Sequence, residues 1–297
     1  MVSVIIPVYN DRERLRECLK TLEQQTYPSD SYEIIVVDNG SAESITDLIE
    51  LFPHAVTVTE KQPGSYAARN RGLTLARGEI LAFTDADCIP EVTWLEEGVR
   101  ALVNDSQANL VGGKITLFFR HPPHLTPVEL YERLMAFPQK QHIKKHHFTP
   151  TANLFTYRAL FEDLGYFDAR LKSNGDRQWC QRAVQKGYQI KYAESAIVRH
   201  PARYTFEEIA RRYIRMAGGR VDSYRQQYRN NLLAIGKIAQ EITISFLKTP
   251  KELLLVWWKS HGSIKETIQI FSVLWSLKCI LNREKVRVLR GGVSRNW

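Results

Sequence analysis

Four short apolar runs separated by helical stretches constrain the fold of this 297-residue chain more than any other feature. Val2–Pro7, Glu33–Val37, Val56–Thr59 and Ile80–Thr84 are short and β-branched, which predicts strands. Between them Arg12–Gln25, Ser44–Phe52 and Tyr66–Ala76 read as helices, and Leu15, Leu19 and Leu22 sit at helical spacing. Such alternation predicts an α/β fold with a mostly parallel sheet flanked by helices. Sheets of this kind bind ligands in the crevice at the carboxyl ends of their strands, so functional residues are sought there.

The pattern changes near residue 110. A strand-like run, Leu110–Phe119, is followed by His121-Pro122-Pro123-His124 and a long irregular stretch to Thr151. Helices are expected at Arg158–Leu164 and Asp176–Lys186, and short strands at Ile190–Tyr192 and Ala196–Val198. From Phe206 onward the chain reads as helical, with a break expected at Gly218-Gly219. Hydrophobic residues make up 44% and charged residues 25%, which argues against disorder.

Three carboxylates fall at strand ends. Asp38 closes the second strand, and Asp85 and Asp87 follow the fourth as a D-x-D pair. In a parallel sheet they open into one crevice, where they repel one another unless a positive group joins them. A divalent cation with a diphosphate meets that need, because hard cations take oxygen ligands and share them with phosphates. The alternative is structural: Asp38 starting an Asn-Gly turn and Asp87 capping a helix. Gly64-Ser65-Tyr66-Ala67-Ala68-Arg69-Asn70-Arg71-Gly72 opens the third helix. There Arg69 or Arg71 can neutralise phosphate, or both can be solvated surface groups.

The stretches VSVIIPVYN (2–10), EIIVVDNGS (33–41), GSYAARNRG (64–72), FTDADC (83–88), LGYFDARLKSNGDRQWCQRAVQKGYQI (164–190) and VRHP (198–201) resemble a family 2 glycosyltransferase with the GT-A fold. The blocks stand in the family's order and approximate spacing, and the resemblance runs from about Val2 to Tyr213. It implies that Pro7, Tyr9 and Asp38 contact the nucleoside, with Asp38 at the base. It places Asp85 against the ribose or metal side, Arg69 close to the donor, and Asp87 on the metal, which would be Mn2+ or Mg2+. Asp176 matches the catalytic base, and His200 a late histidine that joins the metal or diphosphate. The chain departs from the family in having Gly175-Asp176 where Glu-Asp is frequent. It also lacks the Q-x-x-R-W motif of processive synthases, which points to addition of a single sugar.

The implied function is inverting transfer of one sugar from a nucleotide-diphospho-sugar to an acceptor hydroxyl, in cell-envelope polysaccharide or glycolipid synthesis. The acceptor would be a saccharide or a lipid-linked group. Asp176 by itself reads more readily as a helix N-cap than as a base. Arg182 reads as structural or acceptor-facing, and Trp179 as a core residue before a sugar platform. Two other functions compete with the implied one. A sugar-phosphate nucleotidyltransferase needs a glycine-rich loop after the first strand, and Val8–Arg12 contains no glycine. A non-catalytic nucleotide-sugar-binding membrane scaffold has no need of a base. His142 and His146 have the i, i+4 spacing of a zinc pair, but their surroundings suit a solvated basic loop that closes over donor.

Charge divides the chain. Residues 1–198 hold 22 basic and 25 acidic side chains, whereas residues 199–297 hold 19 and 7. The expected domains are therefore a catalytic GT-A domain over 1–213 and a basic helical extension over 214–297. In the extension Ile264, Ile268, Phe271, Leu274, Trp275 and Leu281 share a helical face after Trp257-Trp258. This suits either an anionic membrane surface or packing within the protein. No window is long and apolar enough to span a bilayer. Scattered cysteines and no apparent signal segment suggest a cytoplasmic enzyme, peripheral on the membrane. No nucleic-acid motif is present.

Overall fold

The computed structural model describes residues 1–228 and 231–294. The chain packs as two compact units. The first comprises residues 1–117, 137–170 and 175–201, and the second residues 118–136, 171–174 and 202–297.

In chain order the elements are β1 (Val2–Val8), α1 (Arg12–Leu22), β2 (Tyr32–Asp38), α2 (Thr46–Ile49), β3 (Ala55–Thr59), α3 (Ser65–Leu73), β4 (Ile80–Phe83) and β5 (Ile89–Pro90). Next come α4 (Trp94–Val103), β6 (Leu110–Phe118), α5 (Pro127–Met135), α6 (Gln139–His146), β7 (Leu154–Tyr157), α7 (Arg158–Leu164), α8 (Gly175–Gln185) and β8 (Ile190–Pro201). The chain closes with α9 (Phe206–Gln227), α10 (Asn231–Leu247), α11 (Thr249–Lys259) and α12 (Ile264–Leu289).

The first unit is built on a sheet in the order β3-β2-β1-β4-β7-β6-β8-β5. β3, β2, β1 and β4 are parallel, as the strand–helix alternation predicts. β7 then pairs antiparallel with both β4 and β6. β1 and β2 are buried on both faces, which is why they read as continuous apolar runs and not as alternating ones. Helix α3 lies close on this sheet: a Cβ at Gly72 would stand 2.6 Å from Ile5 Cγ2. At the amino end of the strands the one buried carboxylate is fully satisfied. Glu33 accepts from Ser3 Oγ at 2.7 Å and from Arg77 N and Nε, both at 2.8 Å.

The irregular stretch expected up to Thr151 is in fact structured, because it contains α5 and α6. Helix α5 begins with a capping box, Thr126 and Glu129 satisfying each other's backbone N–H groups. The two short strands expected near 190 and 196 are one continuous strand, β8.

The second unit is helical. Its core joins Val128, Leu130 and Tyr131 of α5 to Ile209 of α9 and to Ile270, Leu274 and Leu277 of α12. The break expected at Gly218-Gly219 does not occur, and α9 runs through it. Gly219 instead permits close packing, since a Cβ there would lie 3.1 Å from Ser173 Cβ. The apolar face read on the last helix divides in two. Ile270, Val273, Leu274 and Leu277 are buried, while Ile264 (67% exposed), Ile268 (64%) and Trp275 point to solvent. Among the described residues no helix is long and apolar enough to cross a membrane.

Candidate functional site

Because β1, β2, β3 and β4 are parallel, their carboxyl ends lie along one edge. Tyr9 and Asn10 leave β1 there, Asp38 ends β2, and Thr84-Asp85-Ala86-Asp87 leaves β4. Side-chain hydrogen bonds tie the loops of this edge together. Asp38 Oδ1 accepts from Ser41 N at 3.0 Å, and Ser41 Oγ accepts from Asn10 N at 2.9 Å. Asn10 Oδ1 accepts from Ala42 N at 2.8 Å. Asn39 Nδ2 donates to the carbonyls of Glu60 and Gln62, and its Oδ1 accepts from Gly64 N at 2.7 Å. Asn10 and Asn39 therefore fix the rim, a role the sequence reading did not give them. The signal was available, since asparagine after a strand favours turns that its side chain can brace. Pro7 is half-buried within β1, and Tyr9 is exposed beyond it.

Arg69 on α3 is buried and forms an ion pair with Asp85. It is therefore no solvated surface arginine. Its Nη1 also donates to Ser65 O at 3.3 Å, and its guanidinium lies 5.7 Å from the centre of the Tyr66 ring. Tyr66 Oη in turn donates to Asp176 Oδ1 at 3.1 Å. Asp176 is the second residue of α8, and the same Oδ1 accepts from Arg177 N at 2.8 Å. Burial raises the Asp176 carboxyl above the ordinary aspartate range. The Arg177 N–H, the Arg69 charge and the Tyr66 hydroxyl pull it down, and Asp85 pushes it up. Asp85, Arg69, Tyr66 and Asp176 thus form one connected chain, of which Tyr66 was not singled out from sequence.

On the other side of the D-x-D, Asp87 Oδ2 lies 3.9 Å from His200 Nε2 and 3.7 Å from Arg14 Nη1. Asp87, Cys88 and His200 each offer a ligand atom within 4.8 Å of the others, the one such group among the described residues. His200 is buried, and its Nδ1 lies 2.8 Å from Pro201 O. A carbonyl accepts only, so Nδ1 donates to it, and Nε2 is left on the side of Asp87 as the ligand atom. That arrangement fits a divalent cation. Cys88 fits it poorly: burial, then Asp87 and Asp85, push its thiol well up, so it stays protonated. Asp38 stands apart from this cluster: among the described residues no hydrogen bond or ion pair joins it to Asp85 or Asp87.

The remaining candidates are structural. Trp179 is buried, donates from Nε1 to Gly165 O at 2.9 Å and stacks on Phe161 with ring centres 4.2 Å apart. Arg182 Nη2 bonds the carbonyls of Gly165 and Tyr166 at 3.1 and 2.8 Å. His142 and His146 lie on α6, not in a loop, with ring centres 6.2 Å apart. They are not part of a three-ligand group among the described residues.

The profile of Glycosyl transferase family 2 matches residues 3–165. The chain belongs to this family. It is 37% identical over 258 residues to the glycosyltransferase AglE of Haloferax volcanii, covering 85% of this chain and 83% of AglE. It is also 29% identical over 208 residues to the probable glycosyltransferase YdaM of Bacillus subtilis, covering 66% of this chain and 49% of YdaM. Among solved structures it superimposes on the mannosyltransferase PcManGT of Pyrobaculum calidifontis, determined with GDP-Man and Mn2+. There the TM-score is 0.64 at 19% identity, over 96% of this chain and 86% of that one. It likewise matches residues 1–349 of S. aureus TarS in complex with UDP-GlcNAc, with a TM-score of 0.56 at 16% identity, over 99% and 93% of the two chains. The fold is GT-A, with the mixed sheet flanked by helices and a helical C-terminal part, and the protein is a glycosyltransferase.

Proposed function

We propose that this glycosyltransferase moves a single sugar, with inversion, from a nucleotide-diphospho-sugar to an acceptor hydroxyl, and that Asp176 is its base. The observation that carries this reading is the placement of Asp176. It is half-buried, has a raised pKa, and is joined through Tyr66 and Arg69 to Asp85 at the sheet edge. A raised pKa suits a group that must accept a proton during the reaction.

In this reading Pro7, Tyr9 and Asp38 hold the nucleoside along the rim braced by Asn10 and Asn39. Arg69 and Asp85 sit beside the donor's ribose and phosphates. Asp87 and His200 hold Mn2+ or Mg2+, which when bound supplies positive charge against the leaving diphosphate. The acceptor oxygen forms a bond to the anomeric carbon, its proton passes to Asp176, and the bond from that carbon to the diphosphate breaks. Support for donor and metal comes from two relatives in the fold, one determined with GDP-Man and Mn2+ and one with UDP-GlcNAc.

Residues 1–213 would form the catalytic domain and 214–297 a basic extension that lies on anionic lipid at the cytoplasmic face, near a saccharide or lipid-linked acceptor. Support comes from the exposed apolar side chains of α11 and α12: Leu254, Trp258 (74% exposed), Ile264 and Ile268. They stand among Lys248, Lys251, Lys259 and Lys265. Exposed apolar side chains on helices that also carry lysine suit an anionic bilayer interface. The pathway served would be cell-envelope polysaccharide or glycolipid synthesis.

The deciding experiment is a donor screen with UDP-, GDP- and dTDP-sugars in Mn2+ or Mg2+, on wild type and on Asp176→Asn. Turnover of one donor by the wild type alone is expected. Equal turnover by both proteins removes Asp176 from the mechanism.

A further inference from the structure

We infer that Tyr66 is the positioning residue for Asp176, and that position 175 is glycine because the Tyr66 ring occupies the space of any side chain there. The inference rests on the reading of Asp176 as the base, and its test separates the two.

An aspartate in the first turn of a helix is free to swing between staggered rotamers and to cap nearby N–H groups. Here one oxygen is held twice. Oδ1 accepts from Arg177 N at 2.8 Å and from Tyr66 Oη at 3.1 Å, while Oδ2 has no partner among the described residues. Two donors on one oxygen fix the plane of the carboxylate, and the second oxygen stays available for a proton.

Tyr66 suits this task because it is itself immobilised. It is 6% exposed, its ring centre is 5.7 Å from that of Phe167, and the Arg69 guanidinium lies 5.7 Å from its own ring centre. Burial and the charge of Asp176 push its phenol far above the ordinary range, so it remains a donor. Tyr66 and Arg69 are three residues apart on α3, so they share a face of that helix. One helix therefore references the base to Asp85 at the donor edge.

The glycine follows from the same ring. A Cβ on Gly175 would stand 2.7 Å from Tyr66 Cε2 and 2.8 Å from both Cδ2 and Cζ. Those distances are far inside contact, and ring atoms have little freedom to yield. A side chain at 175 and a tyrosine ring at 66 exclude each other in this geometry.

Tyr66→Phe removes the hydroxyl and keeps the ring. The groups facing Asp176 are Tyr66 and Arg69 from α3, Asp85 after β4, and Cys180 one turn further along α8, a thiol whose pKa burial raises to about 12. With the hydroxyl gone, the charged carboxylate loses a donor, so its pKa rises. Expected results are a kcat about tenfold lower, an unchanged KM for donor, and an acid limb of the kcat–pH profile displaced to higher pH. Wild-type kcat with an unmoved limb overturns the proposal.

Gly175→Ala supplies an independent arm. It is expected to lower kcat beside Tyr66 but to add little in the Tyr66→Ala background, where the ring is absent. Equal effects in both backgrounds overturn the steric coupling. If Gly175→Ala fails to fold, recovery of folding in the double variant supports the coupling, and failure there refutes it. Asp176→Asn separates the two readings. If that variant is inactive while Tyr66→Phe is normal, only the positioning role falls; if Asp176→Asn is active, the base assignment falls.

Discussion

The two units of this protein treat charge and apolar surface in opposite ways. In the first unit the apolar residues of β1, β2 and β4 are inside, and charged groups at the carboxyl edge of the sheet are only partly paired. Among the described residues Asp38 has a single backbone donor, and Asp87 faces His200 at 3.9 Å, too far for a hydrogen bond. In the second unit Glu132 and Glu241 are paired internally. Glu132 accepts from Arg203 N and Nη1 at 2.6 and 2.8 Å and from Arg212 at 3.4 Å. Glu241 is bound by Arg220, Tyr224 and Lys285. Burial alone would raise the Glu241 carboxyl, but these donors outweigh it and bring it down to about 2. What the second unit leaves open is apolar: among the described residues, sixteen exposed large apolar side chains fall between Leu232 and Val293. Under-paired charge beside a sheet edge suits a site that binds and reacts. Paired charge under an apolar face suits a surface that docks.

That contrast can be broken at four points. The largest effect is expected from Asp176→Asn, which cannot accept a proton: turnover should fall on the order of 10²–10⁴-fold with donor binding kept. Steady-state kinetics with a donor titration measure both. Next, Asp87→Ala should weaken donor binding and turnover together, and excess EDTA should abolish turnover until Mn2+ or Mg2+ is restored. Undiminished turnover in EDTA would remove the cation from the site.

In the second unit the sharpest test is Glu132→Gln. It leaves Arg203 and Arg212 without their carboxylate, so stability should fall by about 3 kcal/mol, as for a broken buried ion pair. Denaturant unfolding measures that loss, while kcat of the folded fraction should hold. A large fall in kcat without loss of stability would mean that paired charge also serves the chemistry. The smallest effect concerns Trp258→Ser with Ile268→Ser. The protein should co-sediment with anionic vesicles more than with neutral ones and less at high salt. The double substitution should reduce the binding that survives high salt, because that part comes from apolar burial. If the wild-type protein ignores both vesicle types, the exposed face serves another partner.

Much of the first unit was legible in the sequence, because β1, β2 and β4 are buried and leave continuous apolar runs, and the exposed edge strand β3 is still β-branched. The four runs near residues 2, 33, 56 and 80 became β1, β2, β3 and β4 within a residue or two at their ends. The carboxylates at their ends could be located from the same pattern, since parallel strands share one carboxyl edge. The region from 120 to 150 was less legible. Its Pro-Pro and His-Lys composition masked α5, which starts at a capping box, and α6, which has no side-chain cap. Gly218-Gly219 misled for a related reason: glycine weakens a helix locally, but close approach to Ser173 outweighs that cost within α9.

The sequence by itself determined the parallel core, the order of its strands along the chain and the charge split, because each is written in local composition and spacing. Only the tertiary structure decided which residues act together. It joined Tyr66 to Asp176 across 110 positions, Arg69 to Asp85, and Asp87 to His200, and it divided the apolar face of α12 into a buried and an exposed stripe. Those pairings depend on where α3, α8 and β8 come to rest against the sheet. That placement is set by side-chain packing between distant segments, which no local pattern records.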